Sequence, residues 1–297
     1  MKKAIVFGGS GFLGSHVADA LTEAGIETTI FDIVPSDYIN DNQIFIQGSI
    51  LDRTLVEQAI HGKDYIFHLA AQADIGIGFQ KPQETLELNI QGTVNILEAC
   101  RKYSIERFLF ASTIYVFSDA GGVYRASKQA CEIIIDEYQK NYGIDYTILR
   151  YGSLYGPRAD ERNLIHRVLK QALLDKVIKI GYGQEEKRDY IHASDAARMS
   201  VDILNDQYKN TSVMLTGYQA ITRGELLNMI KEMLDENVKI EYIELEHDKQ
   251  HGHYKFTPYV FRPKISKKLV SSNYTEFGQG ILSCMSEIYE KYVAKES

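Results

Sequence analysis

A tyrosine and a lysine stand four residues apart in Tyr124-Arg125-Ala126-Ser127-Lys128, at the start of a stretch whose periodicity predicts a helix over 125–142. Residues at that spacing share one helix face, one turn apart. An ammonium beside a phenol favours the phenolate, so the pair predicts a tyrosine pKa lowered toward general-base chemistry. Just upstream, Phe110-Ala111-Ser112-Thr113 closes a short apolar run, which puts the Thr113 hydroxyl where it can orient a substrate hydroxyl toward Tyr124. The same spacing is common on plain helix surfaces. Its place directly after a strand end is what makes it specific, because ligands gather at strand C-termini in an open parallel sheet.

A second constellation opens the chain. Gly8-Gly9-Ser10-Gly11-Phe12-Leu13-Gly14 satisfies both GxGxxG and GxxGxxG, between an apolar run at 4–7 and a helical pattern at 13–24. Glycines there permit a tight turn and close approach of backbone to a pyrophosphate, while the helix N-terminus supplies N–H donors. Asp32, at the end of the next apolar run, can accept hydrogen bonds from both hydroxyls of a ribose and would repel a 2′-phosphate. Ile33, Val34 and Pro35 follow it with no arginine beside them, so the pattern selects NAD over NADP.

The elements that must hold these groups are short β-branched runs alternating with helical patterns. Strands are predicted at 4–7, 28–31, 44–47, 65–69, 108–111 and 146–149, with helices including 13–24, 84–103 and 125–142 between them. Such alternation predicts an α/β fold with a doubly wound parallel sheet covered on both faces. The glycines and proline of Gly152–Pro157 mark where the chain leaves that sheet. The predicted organisation is a dinucleotide-binding Rossmann domain over 1–155, receiving segments near 177–205, and a smaller α/β substrate lobe over 156–297. In the second half helices are predicted at 163–176, 194–204, 222–235 and 275–293, and strands at 177–180 and 238–243.

Composition narrows the partners. The 297 residues carry a formal net charge of −7, which offers no field for neutralising phosphates and argues against nucleic acid. Cys100, Cys131 and Cys284 are widely spaced with no CxxC pair and read as reduced thiols. The opening Met1-Lys2-Lys3 with its apolar run superficially resembles a signal peptide, but glycines interrupt it at once and Asp19 and Glu23 follow. No apolar run approaches a membrane span. The expectation is a soluble, cytoplasmic protein with no membrane partner.

With these motifs in order, the chain resembles the extended short-chain dehydrogenase/reductases, particularly the nucleotide-sugar epimerases. The likeness runs through the glycine loop, His68-Leu69-Ala70-Ala71-Gln72-Ala73, Asn89-Ile90-Gln91-Gly92-Thr93, the Tyr124–Lys128 pair and Leu149-Arg150-Tyr151. It continues in Leu154-Tyr155-Gly156-Pro157-Arg158 and in Arg188-Asp189-Tyr190-Ile191-His192 with Asp195. The resemblance implies that Gly8, Gly11, Phe12 and Leu13 face the pyrophosphate and that Asp32, with Ile33 beside it, meets the adenosine ribose. It places Ser49 and Ile50 by the adenine, although relatives usually carry Asp where Ser49 stands. Leu69, Ala70 and Ala71 line the nicotinamide side, Asn89 and Tyr151 add cofactor contacts, and Lys128 also holds the ribose. Thr113, Tyr124 and Lys128 form the catalytic set. Thr113, Ser153, Asn163, Leu164, Arg188 and Arg262 face a nucleotide-diphosphate sugar, the arginines because a planar fork suits phosphate oxygens. For Arg188 an ion pair with Asp189 or Glu185 is the structural alternative.

Departures from the family refine the expectation. Only residues 114–123 separate Thr113 from Tyr124, a shorter loop than in typical members, which predicts a more open site or one adapted to another sugar. Gly152-Ser153 replaces a common aromatic–asparagine pair. His247, His251 and His253 lie in a polar stretch that fixes no ligand geometry, so no metal is expected there. Relatives that dehydrate sugars carry an Asp-Glu pair after the catalytic threonine, and decarboxylating relatives a glutamate; here Ile114 and Tyr115 follow Thr113. The resulting expectation is a C4 epimerase working through a transient 4-ketone. A reductase or dehydrogenase with net NAD(H) turnover is the enzymatic alternative, and a non-catalytic NAD-sensing module the other. Helices 84–103 and 125–142 match those that pair relatives into homodimers through a four-helix bundle, with Ile133, Ile134 and Ile135 as either bundle surface or core.

Overall fold

Six strands arise where the apolar runs predict them: β1 (Lys3–Phe7), β2 (Glu27–Asp32), β3 (Gln43–Gln47), β4 (Tyr65–His68), β5 (Arg107–Thr113) and β6 (Tyr146–Tyr151). The computed structural model describes residues 1–217, 220–234 and 237–243. Later strands are β7 (Ser153–Tyr155), β8 (Val177–Gly181), β9 (Lys187–His192), β10 (Thr211–Leu215), β11 (Ala220–Thr222) and β12 (Lys239–Ile243). The helices are α1 (Phe12–Glu23), α2 (Arg53–Ile60), α3 (Ile75–Gln80), α4 (Pro82–Leu86), α5 (Gly92–Lys102), α6 (Gly122–Tyr142), α7 (Leu164–Leu174), α8 (Ala193–Asp202) and α9 (Arg223–Met233).

A seven-stranded sheet runs β10-β6-β5-β4-β1-β2-β3, every pair parallel. The period-two alternation of its strands explains the layers. Ala4 and Val6 of β1, with Leu109 of β5, bury against α1 and α8; Ile5 and Phe7, with Phe108 and Phe110, bury against α2, α5 and α6. Both faces are therefore apolar, which a buried parallel sheet requires. The chain proceeds outward from β1 through β2 to β3, then resumes at β4 on the other side of β1. The crevice at that reversal, outside the strand C-termini, is where such sheets bind ligands.

Beyond Gly152 the chain builds a smaller layer. β11, β9 and β7 form one sheet, while β8 and β12 pair beside α7 and α9 around Val168, Ile178, Leu227 and Ile230. Of the segments near 177–205 expected to join the Rossmann domain, β8 pairs with β12 in the smaller layer, whereas α8 packs on α1. β10 also joins the sheet, beside β6. Its sequence carries a weak signal because only Leu215 at its end is fully buried.

The helix predicted over 84–103 is interrupted. α4 and α5 are joined by a π-helical turn at Glu87–Gln91, a widened turn that proteins tend to place at functional positions. The described residues all fall within one compact unit, Met1–Phe261. Arg262, the three histidines at 247, 251 and 253, Cys284 and the helix predicted over 275–293 lie outside the described residues. Among the described residues no helix is long and apolar enough to cross a membrane.

Candidate active site

The glycine loop is shaped by close approach. Gly8 has φ +82°, and a Cβ there would lie 2.5 Å from the Ala70 nitrogen; one at Gly14 would lie 2.0 Å from the Gly8 oxygen. Neither position admits a side chain without moving backbone. The Phe7 carbonyl accepts from the N–H groups of Leu69 and Ala70, at 2.8 Å each, which welds the ends of β1 and β4 across the reversal point. Leu69, Ala70 and the half-buried Ala71 thus edge the same crevice as the glycines. Gly11 caps α1 without a side-chain hydrogen bond, and no acidic residue occupies the helix's first turn. The N–H groups around Phe12 and Leu13 are left facing outward, as anion binding requires.

Asp32 is oriented by backbone: Ser10 N–H donates to Oδ2 at 3.0 Å and Ile33 N–H to Oδ1 at 2.7 Å. Each oxygen keeps acceptor capacity for a ribose hydroxyl. Ser10 Oγ is buried here with no partner in the protein. A backbone cradle, an aimed carboxylate and an unmatched hydroxyl fit an adenine dinucleotide. On the adenine side the structure separates two expected contacts. Ser49 sits in an exposed-edge turn, accepting from Leu51 N–H at 3.2 Å, whereas Ile50 is buried and keyed against Gly92. Its side chain is core, because Gly92 leaves room in α5 for it.

The three side chains expected to be catalytic come together where β5 ends and α6 begins. Thr113 is the last residue of β5, 6% exposed, and its hydroxyl accepts from Tyr115 N–H at 3.2 Å, starting a tight 3-10 turn. Tyr124, in the first turn of α6, hydrogen-bonds with the Thr113 side chain. Lys128 is 3% exposed, donates to the Ala111 carbonyl at 2.7 Å, and lies 4.5 Å over the Phe110 ring and 6.0 Å from the Tyr124 ring centre. Burial pulls the Lys128 ammonium down to about 8, partly offset by Cys131 and Glu132. Burial pushes the Tyr124 phenol up to about 12, opposed by its hydrogen bond with Thr113. The sequence had predicted a lowered tyrosine. Among the protein's own groups desolvation wins, because Lys128 is bonded to Ala111 rather than to the phenol.

The loop of residues 114–123 is short and pinned rather than open. Gln129 donates to the Val116 carbonyl at 2.8 Å and Arg125 to that of Ser118 at 2.7 Å, while Gly121, at φ +92°, lets the Tyr115 ring pass. Ile114 is buried, and Asp119, the one carboxylate of the loop, is exposed beside Arg125.

Two residues expected at the cofactor have other partners. Asn89, in the π-helical turn and 2% exposed, accepts from Gln72 N–H at 2.8 Å and donates to the Gln72 carbonyl and Ser127 Oγ at 3.1 and 2.9 Å. It ties the loop after Ala71 to the turn that carries Tyr124, since Ser127 Oγ donates to the Tyr124 carbonyl. Tyr151 directs its hydroxyl to Ser200 Oγ at 2.7 Å within the core, so any cofactor contact falls to its backbone. His68 lies on the other face of the sheet, among Phe7, Phe108 and Phe110, paired with Thr93 at 2.9 Å and held neutral by burial.

On the substrate side, β7 continues from β6, whose Tyr151 pairs with Thr113, and Ser153 stands opposite Tyr190 of β9. Arg188 lies two residues before Tyr190 in the same strand, paired with Ile221 of β11. Asn163 caps α7: its oxygen accepts from Ile165 and His166 N–H groups and its amide donates to the Leu154 carbonyl at 2.8 Å. Leu164 opens α7 and packs on the small-layer core. Arg188 pairs with Glu186 at 3.3 Å, a partner that differs from the Asp189 or Glu185 weighed from sequence. Glu186 also pairs with Arg223, which donates to the Gly181 and Tyr182 carbonyls. Arg223 carried no signal in the sequence, being a lone arginine at a helix start. An apolar hollow of about 510 Å³ between the Tyr155–Pro157 turn and α7 is lined by none of the catalytic residues. Among the described residues no three metal-ligating side chains come together.

Comparison with known proteins bears on this geometry. Residues 4–214 match the NAD dependent epimerase/dehydratase family. A putative UDP-glucose 4-epimerase of Methanocaldococcus jannaschii is 32% identical over 251 residues, covering 76% of this chain and 81% of that protein. A UDP-N-acetyl-alpha-D-glucosaminuronate decarboxylase of Bacillus cytotoxicus is 28% identical over 278 residues, 84% of this chain and 86% of that one. Among solved structures, a Thermus thermophilus UDP-glucose 4-epimerase in complex with NAD is similar with a TM-score of 0.77 at 25% identity, covering 88% of this chain and 90% of the other. The chain belongs to the NAD-dependent epimerase/dehydratase family and is an enzyme whose cofactor is NAD.

Proposed function

We propose that the protein is a nucleotide-sugar epimerase acting at C4. The observation that carries this reading is the Thr113–Tyr124–Lys128 set with no carboxylate in the two positions after Thr113, the nearby Glu132 being engaged with Ser112 and Arg150. The position after Thr113 is a buried isoleucine, the next a tyrosine, and Asp119 is turned to solvent. Elimination and decarboxylation lack their extra acid or base, while reversible oxidation needs only what is present. The UDP-linked sugars named for the two relatives support the substrate class.

Tyr124 is the base for the C4 hydroxyl proton, a role its phenol, held at about 12 by burial in the protein alone, takes on only with the positive charge of bound NAD beside it, and Thr113 orients that hydroxyl. Bound NAD would supply the hydride acceptor and donor that reversible oxidation at C4 needs. The buried Lys128 ammonium steadies the phenolate and holds the cofactor ribose with the N–H donors that Ala111 does not use. Gly8, Gly11 and the N-terminus of α1 bind the pyrophosphate, Asp32 the adenosine ribose, and Arg188 with Ser153 the diphosphate end of the sugar nucleotide.

The test is proton NMR of the protein with a panel of nucleotide sugars and trace NAD, with the NADH absorbance followed. A new isomer without net NADH change supports the reading; stoichiometric NADH change moves the enzyme to the reductase and dehydrogenase class. We also propose a homodimer through α5 and α6. Ile133, 67% exposed on α6, supplies an apolar surface there, whereas Ile135 is core. A monomer in light scattering at micromolar concentration sinks that assembly.

A further inference from the structure

Tyr124, Lys128 and Glu132 follow one another at intervals of four along α6, so they form a single stripe down the helix. The third member faces an unusual part of the sheet. Phe108 and Phe110 of β5, and Ile148 of β6, present apolar side chains to α6, but the next same-face positions are Ser112 and Arg150, direct neighbours in the β5–β6 pairing. Glu132 sits over both. Its Oε1 accepts from Ser112 Oγ at 2.5 Å and from Arg150 Nε at 3.0 Å, and its Oε2 accepts from Arg150 Nη2 at 2.6 Å. Arg150 is itself stacked over the Phe117 ring at 4.7 Å, in the turn that follows Thr113. The Glu132 and Arg150 side chains are largely buried.

A buried ion pair is a poor source of stability, since apolar residues of similar volume often serve as well or better. What this one supplies is geometry. It joins three elements at the level of the reacting groups, and Ser112 is covalently next to Thr113. We propose that Glu132 is a positioning residue for the reaction: gripped by Arg150, its carboxylate fixes α6 against the end of β5 and so holds Tyr124 and Lys128 in register with Thr113. The assignment rests on the epimerase reading for its kinetic readout, but not for its geometry. Electrostatics adds a second effect. The charged and titratable groups facing Lys128 are Tyr124, Cys131 and Glu132 on α6 and His68 on β4, with Arg150 of β6 behind Glu132. His68 is neutral, so Cys131 and Glu132 are the groups that favour the Lys128 ammonium against desolvation, and with burial raising the Cys131 thiol the carboxylate is the one that carries charge.

The test is Glu132→Gln in the full-length holoenzyme. With the positioning lost, kcat is expected to fall roughly tenfold, as for a small displacement of reacting groups. KM and NAD affinity should stay within about twofold, the signature of an interaction felt in the transition state. Loss of the carboxylate charge moves the Lys128 titration to lower pH, and the alkaline limb of the pH–rate profile with it. Carbon-13 NMR of lysine-labelled protein reads that titration without turnover. A folded variant with wild-type kcat and an unmoved Lys128 midpoint overturns the proposal even if its Tm is lower, because that is how a merely structural ion pair behaves. Should Glu132→Gln fail to fold, Ser112→Ala removes only the grip on β5: a lowered kcat with an unmoved Lys128 midpoint supports the proposal, and an unchanged kcat overturns it. If the wild-type protein turns over no nucleotide sugar, the functional reading has failed instead, and the shift of the Lys128 midpoint still decides for or against Glu132.

Discussion

Around Gly8 the chain offers a ligand its backbone: a turn without Cβ atoms, the open N–H groups of α1, and a carboxylate aimed by two further N–H groups. Around Arg188 it offers side chains already engaged with one another, where Glu186 bridges Arg188 and Arg223 and Asn163 caps α7. The contrast teaches where generality and specificity reside. A backbone cradle recognises any ligand with the right phosphate geometry and cannot be retuned by one substitution without strain. A side-chain network can be rearranged, so on the proposed reading the choice of sugar and base belongs to that half. The catalytic set stands between them, on a sheet end whose position is dictated by neither.

The sharpest way to break this division is at the centre. Tyr124→Phe should lower kcat by at least about a hundredfold, as loss of a general base does. NAD affinity should be unchanged, read by quenching of protein fluorescence. A variant with near wild-type turnover removes Tyr124 from the chemistry. Gly8→Ala tests the cofactor half. Its Cβ meets the Ala70 backbone nitrogen at 2.5 Å from a left-handed conformation. Strain of about 1–3 kcal/mol is expected. It should appear as weaker NAD binding in calorimetry together with a lower Tm; undiminished NAD binding would show that the cradle is not where the pyrophosphate lies.

The pH dependence of turnover sharpens the middle term. With burial holding Lys128 at about 8, its ammonium is present below that pH and is lost as pH rises through it. Activity is therefore expected to decline on the alkaline side of about 8, and a rate level to about pH 10 separates Lys128 from catalysis. The smallest effect belongs to the substrate half. Asn163→Ala removes the cap of α7 and is expected to cost about 1 kcal/mol of stability, read by chemical denaturation. If instead KM for the sugar nucleotide rises with no change in stability, Asn163 is a substrate ligand rather than a cap.

Legibility in the sequence followed the same division. The strands β1 to β6 and the positions of Gly8, Asp32, Thr113, Tyr124 and Lys128 were readable because each rests on a local pattern: an apolar run, a turn that excludes Cβ atoms, an i to i+4 spacing. The 84–103 segment reads as one helix since its composition is helical throughout; the π-helical turn within it holds Asn89 in contact with both Gln72 and Ser127, which lie far from it in sequence. β10 is not legible in the sequence because an edge strand with one buried end has little hydrophobic signal. Ile50 and Tyr151 were assigned to the cofactor by their place in the chain, but Gly92 and Ser200, distant in sequence, draw their side chains into the core.

The sequence by itself determined the class of sheet, the dinucleotide turn and the preference for NAD, because all of these depend on neighbours within a few residues. Only the tertiary structure decided that burial holds the tyrosine high and the lysine low. It also decided that Glu186 holds two arginines, and that Glu132 meets Ser112 and Arg150 at the mouth of the sheet. Desolvation and charge pairing depend on what surrounds a group in three dimensions, and strand order, not strand composition, sets those surroundings.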